Sequence, residues 1–193
     1  MSTGDDRSTW TPRGGARFEV SAIEPAALRS PLNFLSAEHA RQIAICDVLD
    51  RLVRSPRGGA DRAELEAVHA YLIRDLPLHI DDEDWDLFPL LRRRCPMTLE
   101  VEQMFQLLHN EHETDRELQA ELVLNLEHLI KHEAFDDPAR FFMNAFAFSQ
   151  TQRRHLAWEN QVVLTRAWRH LTEDDHMELG RRMAARRGIT LSD

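Results

Sequence analysis

At 193 residues the chain is long enough for one domain with a full apolar core. Its formal net charge of −9 excludes a global field drawing it to nucleic acid or anionic lipid. No apolar run approaches the roughly 20 residues of a membrane span, and the polar start of the chain carries no apolar core of a signal peptide. Cytoplasm is therefore the expected compartment, with neither nucleic acid nor membrane as partner. Two widely spaced cysteines, Cys46 and Cys95, exclude a disulfide framework; ten histidines are the informative excess.

Residues 1–29 read as a disordered N-terminal tail, with Trp10 and Phe18 as the side chains able to dock on the domain. Ser30-Pro31 is an N-cap followed by proline at the first helical position. From there Leu32, Leu35, His39, Cys46, Leu49 and Val53 trace one face of a first helix, which Pro56-Arg57-Gly58-Gly59 stops. Asp61 caps a second helix with the stripe Leu65, Val68, Leu72, His79, Glu83, Asp86 and Leu90. Pro77 inside it predicts a kink or a break, because proline removes a backbone donor.

A third helix follows Met97-Thr98, carries Val101, Phe105, Leu108, His112, Leu122, Leu126 and Leu129, and ends near Lys131-His132. Asp136-Asp137-Pro138 opens a fourth with Phe141, Ala145, Phe148, Gln152, His155, Glu159 and Val162 on its stripe. Thr172 opens a short fifth helix that runs out at Arg187-Gly188 and reads as an appendage. The expected fold is all-α: an antiparallel up-down-up-down four-helix bundle over 30–171, with a short C-terminal helix and tail over 172–193.

The chain repeats its chemistry. A lone histidine, His39, is followed by His79-x-x-x-Glu83; a second, His112, is followed by His155-x-x-x-Glu159. The second set lies 73, 76 and 76 residues after the first. Residues four apart share a helix face, so each pair aims at one place, and all six lie on core stripes. A lone histidine on an apolar face is usually a hydrogen-bonded core residue. Six His/Glu positions on the stripes of four helices are better explained by metal, since buried glutamates without cations cost several kcal/mol each or turn neutral. Imidazole plus carboxylate without a thiolate set suits iron, manganese or zinc. Glutamates from opposite helices can bridge two ions while histidines fill terminal positions.

Glu38-His39, His79-x-x-x-Glu83 running into Leu87-Phe88-Pro89-Leu90-Leu91, Glu111-His112, and His155-x-x-x-Glu159-Asn160 before Val163-Leu164 together resemble the hemerythrin-like, or HHE cation-binding, family over roughly residues 31–170. The resemblance implies two non-haem iron ions in a four-helix bundle, with His39, His79, Glu83, His112, His155 and Glu159 as ligands and the two glutamates as bridges. It implies a small diatomic ligand or peroxide as partner: dioxygen or nitric oxide bound or sensed in a stress response, peroxide or nitric oxide decomposed, or iron donated for iron–sulfur repair. Binding is favoured over catalysis.

The pattern departs from the oxygen carriers, which have a His-x-x-x-His pair on the third helix; here Leu108 stands four before His112, and His109 is displaced from the stripe. The fourth-helix acid is a glutamate at four residues rather than an aspartate at five. Asp115 and Gln42, each three residues after a lone histidine, are expected to hydrogen-bond ligand imidazoles, with Glu38 and Glu111 as further partners or solvated residues. Cys95, in an arginine-rich turn, is a candidate for a lowered thiol pKa. His128 and His132 read as surface residues near a helix C-terminus, and Arg181-Arg182 with Arg186-Arg187 as a solvated helix end.

Overall fold

The structure, a computed structural model, describes residues 24–55 and 60–191. Trp10, Phe18 and the Pro56–Gly59 stop signal lie outside the described residues. Four long helices form a bundle: α1 (Pro31–Arg54), α2 (62–94), α3 (Leu99–His132) and α4 (138–170). A fifth, α5 (Glu173–Arg186), follows them. There is no strand among the described residues, and no described helix is long and apolar enough to cross a membrane.

The expected starts hold. Asp61 and Glu64 form a capping box at the head of α2, as Thr172 and Asp175 do for α5. The side chains of Thr98 and Asp137 accept from Val101 N and Arg140 N. α3 ends at Glu133, whose φ of 54° is left-handed, a conformation more often taken by glycine. Pro25–Arg29, expected as part of the tail, is a short 3-10 helix, and Leu28 packs in the core.

Pro77 neither ends α2 nor splits it. The helix widens into a π turn at Tyr71–Asp75, where Leu76 N–H reaches back to Tyr71 O, and continues. A second π turn, Glu83–Leu87, precedes Pro89 in the same way, with Phe88 N–H bonded to Glu83 O. Proline lacks a donor and crowds the preceding turn; a widened turn two residues upstream gives the ring room. α4 has its π turn at Glu159–Leu164 with no proline after it. The feature that α2 and α4 share is therefore a π turn beginning at the glutamate of His-x-x-x-Glu.

Two apolar clusters fill the bundle. One gathers Leu32, Leu35, Leu87, Phe88, Phe105, Leu108, Val163 and Leu164; the other Ile45, Leu49, Leu72, Leu76, Leu122, Leu126, Phe141 and Phe148. Along α1 and α3 the first cluster precedes the second, and along α2 and α4 the order is reversed. On every helix buried polar residues lie between the clusters: His39 and Gln42, Glu83, His112 and Asp115, Gln152 and Glu159. Burying each large apolar side chain contributes about 1.5–3 kcal/mol, so the clusters clamp a polar layer that is itself expensive to bury.

Candidate metal centre

All six predicted side chains meet in that layer. His39, His79, His112, His155, Glu83 and Glu159 are each 3% exposed or less. They form two overlapping groups able to hold an ion: His39, His79, Glu83 and Glu159, and His112, His155 and Glu159, with candidate ligand atoms in each within 4.8 Å of one another. Glu159 belongs to both groups. Its Oε2 is 3.7 Å from His39 Nε2 and its Oε1 3.5 Å from His112 Nε2. Glu83 also lies between the histidine pairs, with Oε1 3.4 Å from His39 Nε2 and Oε2 3.6 and 3.7 Å from His79 Nε2 and His112 Nε2. The rings meet edge-on within each pair, His39 with His79 and His112 with His155.

The donor atoms test the fit to metal. His39 Nε2, His155 Nε2, both Glu83 oxygens and Glu159 Oε1 are buried without a hydrogen-bond partner. A buried polar atom left unsatisfied costs about 1–3 kcal/mol. These orphans converge from three of the four long helices, α1, α2 and α4, and all can donate electron pairs to a cation. The residues fit a metal.

Electrostatics agree. Burial pushes His79 well below the usual histidine range and lowers His155, leaving neutral imidazoles. Burial acts the same way on His39 and His112, but neighbouring carboxylates outweigh it. Glu83 and Glu159 raise His39 to about 9, and Asp84 with Glu159 raises His112 to about 10. Burial, with Glu159 alongside, drives the Glu83 carboxyl up; against the same burial penalty, His112 and His39 hold Glu159 down. The protein's own protons stand in for part of the positive charge that the cluster requires.

Outer hydrogen bonds orient the rings, and here the structure supplies residues that the sequence reading missed. His112 Nδ1 is 3.0 Å from Asp84 Oδ1, and His39 Nδ1 is 2.8 Å from Asn160 Oδ1. Asp84 and Asn160 each follow the glutamate of one repeat and serve the lone histidine of the other. In an α-helix consecutive residues diverge by about 100°; the π turn, with an extra residue, lets both face inward. The signal was present as the same 76-residue offset, but its meaning depends on the turn.

Asp115 partners a ligand as expected, with Oδ2 3.1 Å from His155 Nδ1. Burial drives its carboxyl up to about 7. Gln42 does not bond a ligand imidazole; it donates to Gln152, which donates to Asp115, so the chain ends on His155. Glu38 is buried and paired with Arg41, away from the imidazoles. Glu111 is bound by Arg154, and its Oε2 stands 2.6 Å from His155 Nε2 without hydrogen-bond alignment. His109 lies outside both groups, its half-exposed ring 3.2 Å from Asp84 Oδ2. Phe88 stacks parallel to His112 with ring centres 6.1 Å apart and walls the layer on one side.

Two further expectations fail. Cys95 is buried, and burial raises its thiol pKa where the arginine-rich turn suggested lowering. The arginine run is solvated only in part: Arg181 is exposed and pairs with Glu178, while Arg186 and Arg187, with the half-exposed Arg182, pair with Asp86 and Asp82 on α2.

The hemerythrin HHE cation-binding domain family matches residues 30–167 of the chain. An uncharacterized protein of Haemophilus influenzae is 29% identical over 177 residues, spanning 88% of this chain and 99% of its own length. With the family matching over most of the chain and its His/Glu cluster assembled at the core, this protein belongs to the hemerythrin HHE cation-binding domain family.

Proposed function

We propose that the chain is a cytoplasmic, non-haem di-iron protein of the hemerythrin type that binds or senses a small ligand, dioxygen or nitric oxide, in a stress response. The observation that carries this reading is the sharing of Glu159 between two histidine groups, with Glu83 also between them. One carboxylate facing two imidazole pairs is the arrangement expected of a bridged ion pair. The alternating order of the apolar clusters supports an antiparallel up-down-up-down bundle around it.

All six residues would be ligands. Imidazole with carboxylate and no thiolate in the cluster favours iron, with manganese or zinc behind it. Four histidines and two glutamates supply fewer donors than two six-coordinate ions take, which leaves positions for an outside ligand. When bound, the ions supply coordination and electron exchange for that ligand. The protein's part is to fix the rings through Asp84, Asn160 and Asp115, and to keep bulk water out with Phe88 and the flanking apolar clusters.

The test is anaerobic reconstitution with ferrous iron, followed by optical spectra on adding dioxygen, nitric oxide or peroxide. Stable, reversible adducts support binding or sensing. Repeated turnover of peroxide or nitric oxide would make the protein an enzyme. Loss of iron to an apo iron–sulfur protein would make it a donor, and no iron uptake would overturn the reading.

A further inference from the structure

The helix α5 lies beyond the residues matched by the family, 30–167, yet it is tied to the turn that carries Glu83. Asp82 immediately precedes that turn and Asp86 lies within it, and both are buried. Arg187 grips Asp82 with two nitrogens: Nη1 donates to Oδ1 at 3.1 Å, and Nη2 stands 2.7 Å from Oδ2. Arg186 reaches both acids, with Nη1 on Asp82 Oδ1 and Nη2 donating to Asp86 Oδ2 at 2.7 Å. Arg182 adds a 3.4 Å contact to Asp86 Oδ1.

These guanidiniums are part of a packed interface. Arg187 is 13% exposed, donates to Met183 O, and lies over the Phe34 ring at 4.8 Å. The helix is seated independently of them. Leu179, Met183 and Ala184 join an apolar cluster, Arg94 grips Asp175 through two nitrogens, and Gly180 lies so close to Leu28 that a Cβ would come within 2.4 Å of its carbonyl oxygen.

We propose that α5 is a positioning element of the metal centre: Arg186 and Arg187 fix Asp82 and Asp86 on either side of Glu83 and thereby set its carboxylate between the histidine pairs. A π turn forgoes the regular i→i−4 ladder, so side-chain contacts have more to hold there. Asp82 is wholly buried next to a second carboxyl group, Glu83. A buried carboxylate stripped of its cations is strongly destabilised; it is relieved by taking up a proton or by movement of the turn, and either frees the turn from α5 and with it Glu83. The consequence for metal rests on the di-iron reading; the consequence for the turn does not.

The full-length Arg186→Gln/Arg187→Gln variant tests both consequences. Hydrogen exchange of the metal-free protein should accelerate about tenfold or more at the amides of 83–88, while the middle of α3 stays protected. After ferrous loading, a chelator should strip iron about tenfold faster than from wild type. Arg187→Lys, which keeps the charge but cannot span both oxygens, should fall between the two and serves if the double variant does not fold. Loosened α5 amides with the 83–88 turn and iron release unchanged would overturn the proposal. Exchange is read without metal, so failure of wild type to take up iron would overturn the di-iron reading, and the turn's response would still decide this one.

Discussion

The two His-x-x-x-Glu repeats use the same inner chemistry and differ in what stands behind it. In the second half, His112 is backed by the Asp84 carboxylate and His155 by Asp115, itself tied through Gln152 to Gln42. In the first half, His39 is backed by the neutral amide of Asn160, and His79 Nδ1 has no hydrogen-bond partner. The acids there are spent differently: Asp82 and Asp86 face the arginines of α5. A carboxylate partner makes an imidazole a stronger donor than an amide does. A duplicated inner set can thus be made unequal by outer residues alone.

The largest expected effect comes from removing what the halves share. Glu159→Ala should weaken metal binding by more than about 100-fold, since Glu159 serves both groups, and Glu83→Ala should weaken it strongly as well. Metal analysis after dialysis reads this, and full occupancy in both variants would sink the ligand assignment. Asp84→Asn makes the outer partners alike and should cost about tenfold in affinity, while Asn160→Asp should strengthen binding at the other pair. Competitive titration that found both variants equal to wild type would show that the outer difference carries no energy.

Acid–base behaviour offers a third break. In the metal-free protein His39 titrates at about 9 and His112 at about 10, above the roughly 6.5 of an unfolded histidine. A raised value contributes stability that is complete below the unfolded pKa and lost as pH rises through the folded one. Glu83, also raised, acts in the same direction. Metal-free protein should therefore unfold at lower urea at pH 10 than at pH 6.5, and metal binding should release protons. Equal midpoints at the two pH values would contradict the protonated cluster.

Gly180→Ala, which meets the Leu28 carbonyl, should lower stability by about 1–3 kcal/mol in denaturant unfolding. The smallest effect is expected at His128→Ala. That ring packs at a tilt against His132, outside both groups, and metal content should not change.

The bundle's helices and its six inner residues were legible because helical period and repeated spacing act over short stretches of chain. The outer partners were not. Asp84 and Asn160 turn inward only because each π turn carries an extra residue, and no local pattern distinguishes that turn from ordinary helix. Gln42 has the offset that Asp115 has, yet it faces Gln152 across the bundle, a choice made by packing. The α5 arginines looked like a solvated end because their acids lie about 100 residues earlier. Cys95 misled in the opposite way: its sequence neighbours are cationic, but burial decides its thiol.

The central claim is that the six residues form one bridged metal centre. Its most direct test is the metal-to-chain ratio of anaerobically purified protein, wild type beside Glu159→Ala. The account predicts about two iron ions per wild-type chain and nearly none in the variant. Wild type without metal after ferrous reconstitution, or a variant that keeps its full complement, would contradict it.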